Sequence, residues 1–449
     1  MLSEKANRIY AIESLLPEAS KKDNFFLENF SENLAYRHKS IGLKKKDEDA
    51  LLVKMKAQYK NYREGWRGKP AEFIERNLNT NKIELIDYPP MCVDIELASI
   101  CDLACPFCYR QHIATPDKLM DPKLARDLIK QCGELGVPSI KFNWRGEPLL
   151  HGRIPDFIKL AKESGILEVI INTNATSLTE KMSERLIDAG LDLMIYSFDG
   201  GTKETYESMR PGRFKENTFE SVYENIKRFK KIRESKSATF PYTKIQMILT
   251  EETFKEQQEF FDNFGDHVDD VSVKAYSERG GNLGTLSEAD RKKVLNAMKL
   301  NNLKIDENAA YMKNSSGELF VETGRIACEQ IFQRLMVSYD GRVFMCCYDW
   351  GNEHPVGVVS DTFNKKGDKD YYDVIESINE NKKGFELLSP VMPDRIIATD
   401  KEVGNIKDIW EGRKINAVRT AHVNDRVNKI KICKKCDFKE TFNWLKVDT

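Results

Sequence analysis

From residue 92 onward, short apolar runs alternate with amphipathic stretches. Six runs have the length and apolar continuity of strands: VDIELA (93–98), SIKFN (139–143), EVIIN (168–172), LMIYSF (193–198), KIQMIL (244–249) and VSVKA (271–275). Between them, helical spacing recurs near 121–135, 155–164, 179–189, 217–231 and 253–264. Six βα repeats with nearly continuous apolar strands predict a parallel sheet buried on both faces. With right-handed crossovers that sheet is either open and doubly wound or curled into a barrel, and in both cases functional groups gather at the C-terminal ends of the strands.

The flanks read differently. Residues 1 to about 88 are polar and helical, with a charge-dense KKKDED patch at 44–49 and helically spaced apolar residues in LLVKMKAQYKNYREGW. A packing or capping extension is expected here, with partner or substrate contact as the alternative. Tyr88-Pro89-Pro90 breaks the pattern, because proline removes a helix donor and restricts the residue before it. Past about 320 the alternation stops. LMVSYDGRVFMCC predicts a hairpin turning at Asp340-Gly341. Residues 352–404 are irregular apart from a weak helix at 370–382, as in a lid, a binding loop or a disordered insert. A helical stretch, GNIKDIWEGRKINAVRTAH, then leads into ICKKCDF. The expected division is a helical extension at 1–88, a core at 89–300, and a C-terminal region at 301–449 carrying the 352–404 insert.

Charge and composition narrow the function classes. Over 449 residues, 70 Lys+Arg balance 71 Asp+Glu, so no global basic field exists to hold nucleic acid or an anionic membrane. No apolar run approaches the ~18 residues of a membrane-spanning helix, and MLSEKANRIYAIESLL lacks the pattern of a secretory signal. A cytoplasmic location is expected. The ten cysteines are too few for a disulfide scaffold, and they cluster at 92, 101, 105, 108 and 132, then at 328, 346, 347, 433 and 436. Such clustering points to metal binding.

Cys101, Cys105 and Cys108 form C-x3-C-x2-C directly after the first expected strand. Three thiolates can hold three irons of a cubane and leave the fourth open to a small molecule, whereas a structural zinc site wants four closed ligands. Zinc or a plain electron-transfer cluster are the alternatives. This loop, with Phe107 before its third cysteine, resembles the signature of the radical S-adenosylmethionine (radical SAM) superfamily. Further segments match in order at successive strand ends: Gly146-Glu147-Pro148, TNAT (173–176), SFDG (197–200), and TYESMRPG ending near Arg210. The resemblance covers roughly 90–275. It implies a partial (β/α)6 TIM-like barrel, a [4Fe-4S] cluster on the three cysteines, and SAM contacts from Phe107, Gly146, Glu147, Asn174, Ser197 and Arg210. Arg145 stands where the family has the first glycine of its GGEP segment. Strand-end capping for Asn174 and Ser197, and surface ion pairing for Glu147 and Arg210, are the plain alternatives.

Cys328, Cys346, Cys433 and Cys436 could satisfy a second [4Fe-4S] cluster completely, and would suit zinc as well. A strand, DG, and a cysteine after four more residues resemble the SPASM/twitch auxiliary-cluster domain that follows many radical SAM cores. With no cysteine after Cys436, the resemblance is to the shorter, one-cluster twitch arrangement. This implies a small C-terminal α+β cluster-binding domain. If Cys346 and Cys347 lie on opposite faces of a strand, only one ligates easily, and the spacing favours Cys346. Cys347 is then an inert thiol or a hydrogen-atom donor to substrate. Cys92 and Cys132 are expected in the core.

By the resemblance, reductive cleavage of SAM gives a 5′-deoxyadenosyl radical that removes hydrogen from an unactivated substrate carbon. A fully ligated auxiliary cluster suits electron transfer, so the leading expectation is a radical SAM oxidoreductase. It would dehydrogenate a sugar or cyclitol in amino-sugar or surface-glycan biosynthesis. The alternatives are modification of a ribosomally made peptide, including epimerisation, and a non-catalytic zinc-stabilised binding protein. A flavodoxin or ferredoxin electron donor is implied; nucleic acid and membrane partners are not expected.

Overall fold

The computed structural model describes residues 21–78, 80, 82–113, 115–250, 252–275, 311–313, 318–351, 354–359, 404–434, 436 and 442–447. Asn33 starts the first complete helix, α1 (Leu34–Ser40), by accepting from the Ala35 amide. Helix α2 (Lys45–Arg76) follows, and its Met55, Tyr59, Tyr62 and Phe73 form one buried stripe at helical spacing. That stripe joins Phe26 and Phe30 in the main core, so the extension is packed rather than free.

The six expected strands are present: β1 (Cys92–Ile95), β2 (Ser139–Phe142), β3 (Glu168–Thr173), β4 (Leu193–Ser197), β5 (Tyr242–Leu249) and β6 (Asp270–Ala275). All pair in parallel with their sequence neighbours. The crossovers are α3 (Pro122–Leu135), α4 (Ile154–Glu163), α5 (Glu180–Asp188), α6 (Lys203–Met209) with α7 (Phe219–Ser235), and α8 (Gln257–Phe264). Local chemistry sets their ends. Asp121 caps α3 through the Lys123 and Leu124 amides, Pro122 takes its first turn, and Gly136 at φ 78° stops it. Ile140, Phe142, Ile171, Tyr196, Ile245 and Met247 face the helices and are fully buried. The alternate residues Lys141, Asn143, Asn172, Ser197 and Gln246 are only half-buried. The result is the expected α/β partial barrel with a polar inner face.

The chain then returns to the same sheet. Strand β9 (Arg334–Val337) lies parallel to β1, and β10 (Arg342–Phe344) forms the expected hairpin with it, Gly341 turning at φ 91°. Strand β11 (Pro355–Val358) pairs with β10, so the irregular segment expected from 352 begins with a strand. The strand order β11-β10-β9-β1-β2-β3-β4-β5-β6 runs unbroken across the expected division near 300. That boundary and the helix expected at 370–382 lie outside the described residues. A second sheet, which the sequence pattern did not reveal, holds β7 (Tyr311–Lys313), β8 (Leu319–Arg325) and β12 (Phe442–Val447) in the order β12-β8-β7. Short helices α9 (Gln330–Gln333), α10 (Ile406–Trp410), α11 (Arg413–Val423) and α12 (Lys431–Lys434) complete the C-terminal region. Buried Arg419 of α11 lies 4.0 Å over the Trp410 ring and donates to the carbonyls of Trp410 and Ile331.

Candidate active site

The loop after β1 carries Cys101, Cys105 and Cys108 at the C-terminal end of the barrel. It is braced by backbone bonds on one side, from Ala104 N–H to the Pro211 carbonyl (2.9 Å) and from Arg213 N–H to the Asp102 carbonyl (2.8 Å). On the other side Arg110 donates to the Ser99 carbonyl at 3.1 Å and pairs with Asp117, which also accepts from Arg213 at 2.8 Å. Burial pushes the Cys105 thiol up to about 12 and raises Cys101 as well, nearby Glu147 adding to the second shift.

Of the residues expected to contact SAM, Gly146, Glu147, Asn174 and Arg210 meet this loop or the residues leading into it. Gly146 is a packing necessity: a Cβ there would sit 2.4 Å from the carbonyl oxygens of Ala98 and Ile100. Glu147 is buried, and accepts from Thr173 Oγ1 (2.7 Å) and from the Leu149 (3.0 Å) and Asn174 (2.8 Å) amides. Burial outweighs these neutral donors and pushes its carboxyl up to about 7. Asn174 Nδ2 donates to Asp102 Oδ1 at 2.8 Å, and Thr176 Oγ1 donates to Asp102 Oδ2 at 2.5 Å. Arg210 is not a surface group: it is buried, donates to Asp199 Oδ2 from Nε (2.9 Å) and Nη2 (2.5 Å), and lies 5.9 Å over the Phe107 ring. Ser197 sits half-buried at the end of β4, in register with Gln246. Asp102 and Asp199, which the motif reading did not single out, thus hold two of the expected contact residues. Their signal was present, since they lie inside the quoted CDLAC and SFDG segments.

Arg145 fills the position of the missing glycine with a function of its own. Its guanidinium donates to both oxygens of Glu96, at 2.8 Å from Nε and 2.6 Å from Nη2, with both side chains at 0% exposure. Trp144 beside it donates from Nε1 to the Cys347 carbonyl at 3.1 Å. Ile113, Trp144, Met336, Phe344 and Trp350 form a separate apolar cluster, with Cys108, Tyr109 and Cys347 packed against it. Through this wall the first cysteine loop meets the C-terminal region.

Cys328, Cys346, Cys433 and Cys436 line one pocket together with Met345, Tyr348, His422 and several aliphatic residues. Among the described residues, no group of three or more His, Cys, Asp or Glu side chains is arranged to hold a single metal ion. Four cysteine thiols lining one pocket are a donor set that suits an iron–sulfur cluster. Strand β10 ends at Phe344, so Cys346 and Cys347 lie in the turn beyond it. The expectation of opposite strand faces is corrected accordingly. The Cys347 thiol contacts Gln330 Oε1 at 3.9 Å. Cys92 and Cys132 are buried core thiols, as expected. His422, eleven residues before Cys433, was missed; a histidine near a C-x2-C pair is the signal that could have found it.

The geometry agrees with what comparison with known proteins shows. Residues 95–264 match the family model described as Radical SAM superfamily. A GTP 3′,8-cyclase of Chlorobaculum tepidum is 35% identical over 133 residues, covering 29% of this chain and 38% of that protein. The chain thus spans less than two fifths of the length of that relative. The tungsten-containing aldehyde ferredoxin oxidoreductase cofactor-modifying protein of Pyrococcus furiosus is 26% identical over 261 residues, covering 56% of this chain and 69% of that protein. Among solved structures, BtrN in complex with AdoMet and 2-DOIA is similar, with a TM-score of 0.40 and 17% identity. That match covers 80% of this chain and all of BtrN. Among the described residues no helix is long and apolar enough to cross a membrane.

Proposed function

We propose that this protein is a radical SAM oxidoreductase which removes two electrons from a hydroxylated small molecule, a sugar or cyclitol. One observation carries the reading: the second cysteine group lines a single pocket with four thiols, enough to ligate a [4Fe-4S] cluster without a substrate ligand. When bound, the cluster on Cys101, Cys105 and Cys108 together with SAM would supply a 5′-deoxyadenosyl radical. The chain's own residues bind and orient. In this reading Glu147 accepts from the SAM ammonium, and Arg210, held by Asp199, faces its carboxylate. Asp102 fixes both the cysteine loop and Asn174. The half-buried polar residues inside the barrel, Lys141, Asn143, Asn172 and Gln246, suit a polar substrate better than a lipid.

The balance of the reaction is simple. The substrate CH–OH carbon gives its hydrogen atom to the 5′-deoxyadenosyl radical, forming 5′-deoxyadenosine. A group held by Cys328, Cys346, Cys433 and Cys436 would supply the acceptor for the second electron, the O–H proton passing to solvent and the product being C=O. Oxidation needs no hydrogen donor, so Cys347→Ala is expected to turn over fully; loss of turnover would favour epimerisation with Cys347 as donor.

The test is iron and sulfide content after anaerobic reconstitution, with SAM cleavage by dithionite, for wild type and a Cys101/Cys105/Cys108→Ala triple variant. About eight irons in the wild type and about four in the variant are expected, with 5′-deoxyadenosine only from the wild type. Zinc in place of iron, or no SAM cleavage by the loaded wild type, would overturn the proposal. A flavodoxin or ferredoxin is the proposed physiological reductant.

A further inference from the structure

We propose that His422 sets the reduction potential of the group in the second cysteine cavity by donating a hydrogen bond from Nε2 to the sulfur of Cys433. The inference rests on the reading of that cavity as an iron–sulfur site.

The ring is buried at 4% exposure, lies in the last turn of α11, and lines the same cavity as the four cysteines. Its two nitrogens have different partners. The Cys328 backbone N–H donates to Nδ1 at 3.1 Å, so Nδ1 presents its lone pair. A neutral imidazole must then carry its proton on Nε2. Nε2 lies 3.5 Å from Cys433 Sγ, within reach of an N–H···S hydrogen bond. One ring thus joins the backbone of one cysteine to the sulfur of another, and the backbone contact fixes the tautomer that lets the other nitrogen donate.

The ring is also held in place. Arg419, one turn earlier on α11, donates to the Ile331 carbonyl at 3.2 Å, tying the helix to the segment that follows Cys328. A donor aimed at a cluster-ligating sulfur stabilises the added negative charge of the reduced state, so it raises the potential. In the proposed reaction this favours acceptance of the substrate's electron. His422 acts through Cys433 and is therefore a positioning residue, with no contact to substrate claimed.

The experiment uses the full chain in the Cys101/Cys105/Cys108→Ala background, where the second site alone contributes, and EPR-monitored potentiometry after anaerobic reconstitution. His422→Phe is expected to keep about four irons per chain and to bind the electron about tenfold more weakly, a downward shift of about 59 mV for a one-electron couple. His422→Gln, which restores an N–H donor, is expected to recover part of that shift. An unchanged potential in a fully loaded His422→Phe variant would overturn the inference. Loss of iron from both His422 variants would also overturn it, by making the imidazole a ligand. Absence of iron from the parent triple variant would be a different result, since it would remove the iron–sulfur reading of the cavity itself.

Discussion

Strand β3 ends, at its two extremities, against two buried glutamates that behave in opposite ways. Glu168, its first residue, accepts from Lys22 Nζ at 2.5 Å and Tyr62 OH at 3.0 Å, with Arg63 adding positive charge nearby. Its carboxyl is held below the ordinary range by these cations, against the opposing effect of burial. Glu147 accepts from Thr173, the last residue of the strand, and from two amides, and it rises to about 7 because burial meets only neutral donors. The difference follows the division of labour in barrels of parallel strands. At the N-terminal end of β3 cations close the site for stability, and at its C-terminal end Glu147 is left with neutral donors alone. Here the N-terminal extension performs the closing, through Lys22, Asn33, Tyr62 and Arg63.

The largest test of that division breaks the closed end. Lys162 and Asp192 form a pair at 2.6 Å with side chains at 0% and 1% exposure, and Asp192 also accepts from Asn33 Nδ2 and the Val169 amide. Lys162→Met leaves a buried carboxylate without its cation and is expected to cost about 3–5 kcal/mol in denaturant or thermal unfolding. SAM cleavage per folded molecule should be unchanged. A selective loss of SAM cleavage would show that the two ends are not separable.

The open end gives a smaller effect with a different signature. Glu147→Gln removes the charge proposed to meet the SAM ammonium, so SAM binding should weaken by about 1.5–3 kcal/mol, read by equilibrium dialysis on the reconstituted protein. The pH dependence of unfolding of the cluster-free protein separates the two glutamates by sign. Glu147, raised in the fold, binds more protons folded than unfolded between the ordinary glutamate range and about 7. Its contribution therefore falls as pH rises through that window, by roughly 3 kcal/mol at about 1.4 kcal/mol per pH decade. Glu168, lowered in the fold, contributes fully above the ordinary range and loses its contribution as pH falls through its depressed value. Glu147→Gln should remove the first slope and Glu168→Gln the second; identical pH profiles for both variants would contradict the contrast.

The open end was the more legible in sequence, because its groups sit in short motifs. Six apolar runs located β1–β6 to within three residues at each end, and Cys101, Gly146, Glu147, Asn174 and Arg210 were singled out by the resemblance of short motifs to a known family. What escaped was non-local. Asp199 takes up the charge of Arg210 only because the end of β4 faces the end of α6. No periodicity says that β9 will pair with β1, a contact spanning more than two hundred residues of sequence. Tyr62 and Lys22 reach Glu168 across 106 and 146 residues of sequence, so the extension read only as amphipathic helix. Cys346 and Cys347 were misplaced because an alternating apolar pattern continues past Phe344 while the pairing with β9 ends there.

The finest test removes one hydroxyl from each glutamate. Tyr62 OH donates to Glu168 at 3.0 Å and lies 3.1 Å from Ser139 Oγ, and Thr173 Oγ1 donates to Glu147 at 2.7 Å. Tyr62→Phe and Thr173→Val each delete one hydrogen bond to a buried carboxylate, so each should cost about 1 kcal/mol of stability. Their consequences should then part. Glu168 keeps Lys22 and Arg63 after Tyr62→Phe, so it stays ionised and SAM affinity does not move. Glu147 has no cation to fall back on, so losing a donor that favours its charged form raises its carboxyl further above about 7. Thr173→Val should therefore weaken SAM binding most at neutral pH and least above pH 8, where Glu147 is ionised again. A pH-independent loss would mean that Thr173 only shapes the pocket.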